Sequence, residues 1–272
     1  MLLLMKAASL FCLLGLPLAA AAQKLPAHDP PVTYYIGVAQ APLYRSAADT
    51  AGRPAKYLPS QTAAVVVGRL SPRWVVVELG GFRYLTPADK LTDYDPADAD
   101  ALPVDPRTHR IAYEGVVRVP GATQAELLAR ATAWVAQAYP LANAVVDPGP
   151  AAGQLVIKGT QIATFRTAYA GVARGSYAGV VQHTLTLYTK DGAYKYVLTD
   201  LVHDAAGTPN LRSGGPLEQE KASLFGYAGL GSRASWDELK TTATRDVRRL
   251  LATLQTAMTL GAAPAAPNPG EF

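Results

Sequence analysis

The sequence predicts an α+β protein: a small β-barrel, then a β-α-β-β-β-β-α domain whose antiparallel sheet carries two helices on one face. Three observations predict it. Short β-forming runs separated by Gly and Pro fill residues 31–92. Two capping boxes, at Thr123 and Ser235, each open a stretch with helical apolar spacing. Between the helices, Asp191-Gly192 joins two strand-like runs as a hairpin. The chain has 272 residues, 49% hydrophobic and 17% charged, which suffices for real cores and excludes a wholly disordered chain. Its net charge is +4, far below the basic footprint of a dedicated nucleic-acid binder. A single Cys excludes a disulfide framework and Cys-based zinc sites.

Residues 1–22 read as a secretory signal peptide. Lys6 supplies the positive start, Ala7 to Leu18 the apolar stretch, and Ala20-Ala21-Ala22 the small residues before cleavage at Gln23. Pro17 and Gly15 sit badly in a spanning helix. Cys12 follows Phe11, with Ser9 three positions before it, so it lacks the small residue and Leu of a lipid-attachment signal. The mature chain then has no Cys and no transmembrane segment. An exported protein, periplasmic or extracellular, is expected.

In 31–92 the strand candidates are Tyr34-Tyr35-Ile36, Pro42-Leu43-Tyr44, Ala63 to Val67, and Trp74 to Leu79, which turns at Gly80-Gly81 into Phe82-Arg83-Tyr84-Leu85. Residues 93–108 contain five Asp and three Pro and read as a solvated linker. The run Asp93, Asp95, Asp98, Asp100 lacks the Gly and the bidentate Glu of a calcium loop. Residues 109–260 form the second domain, and 261–272 a disordered tail.

The second domain opens with a strand from Ile111 to Val119. After the Thr123–Glu126 capping box, Leu127, Ala131, Trp134, Val135 and Ala138 recur at helical spacing up to Pro140. Strands are expected at 154–158, 161–169, 180–189 and 193–202. The box Ser235-Trp236-Asp237-Glu238 then opens a helix with the stripe Trp236, Leu239, Ala243, Val247, Leu250, Leu254 and Met258.

Several residues together carry a family resemblance. They are Tyr113-Glu114-Gly115-Val116-Val117, Trp134, Gly153 with Ile157-Lys158-Gly159, and Thr184-Leu185-Thr186-Leu187. Lys190-Asp191-Gly192, Tyr196, Leu198-Thr199-Asp200 and the terminal helix complete the pattern. From about 111 to 259 the chain resembles an exported bacterial family with a domain of unknown function (4468) of TATA-binding-protein-like fold. The resemblance implies that fold and brings no catalytic residues. A Gly-rich insert near 205–234 departs from the family pattern. At the front, Ala41-Pro42-Leu43-Tyr44-Arg45 and Trp74-Val75-Val76-Val77 before Gly80-Gly81 resemble a bacterial SH3-like domain. Phe82-Arg83-Tyr84 stands where such domains carry glycine-tryptophan-valine.

The search for chemistry yields little. His28, His109, His183 and His203 make no metal-spaced pair, and no HExxH, GxSxG or Walker motif is present. No catalytic residue, cofactor or metal is therefore assigned. Gly226 to Gly231 reads as a loop, since no strand precedes it. If Asp191-Gly192 is a two-residue turn, His183 faces Asp200, a pairing that could orient a base or simply satisfy itself. The same register puts Leu185, Leu187, Tyr194, Tyr196 and Leu198 on the face under the helices. Thr184, Thr186, Tyr188, Lys195 and Thr199 fall on the other, with Val197, and are the candidate binding face. The functional expectation is a non-enzymatic binding protein for a protein or cell-envelope partner. The alternative is an envelope hydrolase with a dispersed site. The namesake fold binds DNA on its open sheet, but the signal peptide, modest charge and Thr-rich face argue against nucleic acid.

Overall fold

The computed structural model describes residues 25–27, 31–140, 144–169, 172–225 and 232–259. The expected signal peptide, disordered tail and Gly226–Gly231 loop lie outside the described residues. The first module contains β1 (Val32–Ile36), β2 (Ala41–Leu43), β3 (Lys56–Leu58), β4 (Ala63–Ser71), β5 (Trp74–Leu79), β6 (Phe82–Pro87) and β7 (Leu91–Thr92). The expected barrel is not closed. Five strands pair in the order β6-β5-β4-β1-β7, while β2 and β3 form a separate ribbon. The ribbon reaches the sheet through a bridge from Tyr44 to Leu85. The Gly80-Gly81 turn is as expected, with both residues at positive φ, a conformation glycine adopts without steric cost. Ile36, Leu43, Val75 and Val77 are fully buried in this module's core. The segment 25–27 closes over the bulge at Gly68 in β4, where a side chain would strike the Pro26 carbonyl. Leu25 is thereby buried beside Val67, Val76 and Leu85.

The second module contains β8 (Tyr113–Arg118), α1 (Gln124–Ala138), β9 (Ala144–Pro148), β10 (Gln154–Tyr169), β11 (Val172–Lys190), β12 (Ala193–Asp204), β13 (Gly215–Pro216) and α2 (Ser232–Thr259). Its antiparallel sheet runs β13-β12-β11-β10-β9, with β8 pairing the first half of β12. The strands expected at 154–158 and 161–169 are one continuous strand, because the irregularity at Ile162/Thr164 is a bulge and not a turn. Edge strand β9 and the short β13 were not foreseen.

The Thr123 capping box forms as expected, its hydroxyl accepting from the Glu126 N–H while Glu126 accepts from the Thr123 N–H. The second box does not form. Helix α2 already begins at Ser232, which places Ser235 inside its first turns. Every residue of the expected α2 stripe is buried. Both helices share one core with Leu185, Leu187, Tyr194 and Leu198, and Trp134 of α1 donates its Nε1–H to Thr253 of α2 at 3.1 Å. Trp236 is also fully buried, but its neighbours are His203 and Gly214 at the β12/β13 end of the sheet.

The acidic segment after β7 departs from the solvated reading. Asp95 caps a short 3-10 turn at Pro96–Ala99, and the Asp98 side chain is completely buried. It lies between two guanidiniums of α2, bonded to Arg245 and, at 2.5 Å, to Arg248. Tyr34 of β1 donates to it at 2.8 Å. Beside this cluster Arg166 of β10 pairs with Asp93 at 3.1 Å and lies over the Tyr35 ring. Glu238 of α2 accepts from the Arg166 N–H and the Tyr35 hydroxyl. These carboxylates join the two modules because each has a cationic or hydroxyl partner from the other side.

Candidate functional site

The sheet's two faces differ as the hairpin register requires. Thr184 to Lys190 pair with Ala193 to Thr199 one-for-one, so alternate residues share a face. Leu185, Leu187 and Leu198 are fully buried under the helices. Tyr196 is partly buried over Gly115 of β8, where any Cβ would meet its ring. On the opposite face Thr184, Thr186, Lys195 and Thr199 are half-buried and Tyr188 is exposed. The cross-strand partners of Lys195 are Tyr188 on β11 and Val116 on β8, which makes one row across the sheet. Val116, Val145 and Ile162 on the same face are exposed. Lys195 pairs with Glu114 at 3.0 Å. The segment 103–110 passes over one end of this face and leaves a groove of about 850 Å³ that includes Lys195 and Thr199.

His183 and Asp200 are not brought together. The register shifts between Gln182 and Thr184, and Asp200 adopts positive φ. A bulge at this point turns consecutive side chains apart. Asp200 swings outward to Arg110 at 2.5 Å, while His183 is buried with its Nε2 2.7 Å from the Tyr139 hydroxyl. Burial pushes the His183 imidazolium down to about 4, only partly offset by the Val181 backbone, and pushes the Tyr139 phenol up. The pair is a neutral core contact sealed from solvent, and Tyr139 in turn meets Trp134 edge-to-face at 5.9 Å between ring centroids. Gly159 stands opposite His183, where a Cβ would meet the Tyr139 ring and lie 2.9 Å from Nε2. The oriented-base alternative thus loses both its carboxylate and its access.

His203 is a second buried histidine. Its Nδ1 accepts from the Gly214 N–H at 2.9 Å, which leaves Nε2 to donate to the Ala178 carbonyl at 2.6 Å. Among the described residues no cluster of three His, Cys, Asp or Glu has metal-binding geometry, and no helix is long and apolar enough to cross a membrane.

Sequence reasoning missed the largest feature of the junction. A cleft of about 740 Å³ opens between the modules, with the 97–103 segment on one wall and one face of α2 on the other. A second cavity of about 450 Å³ adjoins it, and both share Pro31, Val32, Arg233, Asp237 and Thr241. In sequence these residues are scattered; the helical spacing 233, 237, 241, 244, 248 on α2 was the one available signal.

The antiparallel sheet with both helices on one face is an α+β module of the TBP-like class. Residues 113–204 match the family described as a domain of unknown function (DUF4468) with TBP-like fold. Two crystal structures are similar to the chain. One is a TBP-like protein from Parabacteroides distasonis, 11% identical, with a TM-score of 0.38, covering 54% of this chain and 93% of that one. The other is a DUF4468 family protein from Bacteroides ovatus, 16% identical, with a TM-score of 0.42, covering 65% of this chain and all of that one. Among curated proteins nothing matches the chain.

Proposed function

We propose that the protein is an exported, non-enzymatic binding protein of the cell envelope that docks a partner on the open face of its second sheet. The observation that carries this reading is the asymmetry of that sheet. The helices cover the leucine face, while Tyr188, Val116, Val145 and Ile162 stay exposed on the other. An exposed aromatic beside an engaged Lys–Glu pair and a row of threonines suits a modest, mixed interface. The N-terminal signal-peptide pattern in the sequence supports export. The test is cross-linked capture from the native envelope with the full chain and with a Tyr188→Ala/Lys195→Ala double variant. Loss of partner by the folded variant supports the face. Unaltered capture rules it out.

A further inference from the structure

We propose that the cleft between the modules is a second binding site, for an extended peptide of about six residues carrying charges of both signs. This goes beyond the sheet-face reading and uses none of its residues. Between Arg233 and Arg248 helix α2 advances by about 22 Å, which matches six or seven residues of extended chain. The cleft is therefore a trench, long enough for a strand.

Its charges are of both signs; those at the Arg233 end are loosely held, while Arg248 and Asp98 at the other end are paired with each other. Arg233 reaches Glu220 and Asp237 at 3.9 Å each, beyond hydrogen-bond length, while Lys240 lies 3.6 Å from Asp237 and donates to the Gln219 carbonyl at 3.4 Å. Among the described residues no cation pairs with the Asp100 carboxylate on the opposite wall. A polyanion would meet Asp100, Asp237 and Glu220, and a neutral glycan would leave these groups desolvated without counter-charges. A mixed-charge chain engages both signs.

The cleft also offers backbone. Ile36 exchanges bonds with the Gln61–Thr62 side of β1, whereas Gly37 donates to Lys90 on the β7 side. Alternation therefore turns the Thr33 N–H and C=O to the β7 side as well. There β7 pairs Tyr35 and Ile36 alone, which leaves the Thr33 N–H and C=O without a β7 ladder partner; Thr33 and its β4 neighbour Val65 line the adjoining cavity. A peptide lying in the trench can add to this edge while its side chains read α2.

The experiment is calorimetric titration of the full chain with three hexapeptide pools, randomised at the four central positions. One carries Lys and Glu at its ends, one Lys at both, one Glu at both; maltohexaose is the fourth probe. The mixed pool should bind and raise the melting temperature. Arg233→Gln and Asp100→Asn, both at exposed side chains, should each weaken it about tenfold. Tyr188→Ala/Lys195→Ala should leave it unchanged, which separates this site from the sheet face. Absence of binding by the mixed pool, equal binding of same-sign pools, indifference to both substitutions, or preference for maltohexaose would each overturn the proposal.

Discussion

Acid should destabilise this protein through one imidazole. His183 is 2% exposed, and burial holds its pKa at about 4 against an ordinary value of 6.5. Above pH 6.5 the ring is neutral in both folded and unfolded chains. As pH falls from 6.5 toward 4, the unfolded chain takes up a proton that the folded chain refuses. Stability contributed by the neutral ring is therefore present above pH 6.5 and lost as pH falls through 4. A difference of 2.5 pH units at 1.36 kcal/mol each gives about 3 kcal/mol. His183→Gln keeps an acceptor for the Tyr139 hydroxyl and cannot titrate. Urea unfolding of both proteins from pH 7.5 to 3.5 should show the native chain losing about 3 kcal/mol more than the variant. The raised carboxyl of Glu238, held up by burial, acts with the opposite sign but is common to both proteins and cancels. Parallel curves would refute the assignment of His183 as a buried neutral ring.

Other substitutions probe the packing. Gly159→Ala should cost about 1–3 kcal/mol, because its methyl must displace the Tyr139–His183 pair; denaturant midpoints would show it. Asp98→Ala should cost about 3–5 kcal/mol by leaving Arg245 and Arg248 short of a carboxylate in a largely buried site, measured in the same way. Trp236→Ala should lose about 3–5 kcal/mol and remove the 2.9 Å bond to the Gln219 carbonyl, measured by denaturant unfolding. Residues 109–260 alone should still melt cooperatively, since their arginines then meet water and are not buried unpaired; a non-cooperative scan would show that the first module completes the core.

Local patterns made the second module readable. The stripe from Trp236 to Met258 has one period along one helix, and the hairpin at Asp191-Gly192 fixes its own register for seven pairs. What failed was what depends on an interruption of that periodicity. A bulge beside Asp200 separated His183 from the residue that simple counting placed opposite it. A helix that starts four residues early turned the Ser235 box into ordinary helix and freed Glu238 to face Tyr35 and Arg166. Asp98 was misread for another reason. A run of Asp and Pro looks solvated in isolation, and its arginine partners lie about 150 residues away. Composition carries no information about a partner that distant.

The junction bears on function because both candidate surfaces depend on it differently. A buried ion-pair cluster is a weak source of net stability, since desolvation of Asp98 and its guanidiniums offsets much of their attraction. Its geometry is demanding, however: Tyr34, Arg245 and Arg248 must converge on one carboxylate at once. We expect a cluster this demanding in geometry to favour one docking of the modules over others. The inter-module cleft exists only in that docking, with Arg248 and Asp98 lining it as well as holding it. The open sheet face needs no such arrangement, because β8, β10, β11 and β12 build it within one module. Asp98→Ala should therefore abolish peptide binding in the cleft while leaving partner capture on the sheet face intact. Calorimetry and cross-linked capture on that single variant would read both, and joint loss of the two activities would mean that the surfaces are not independent.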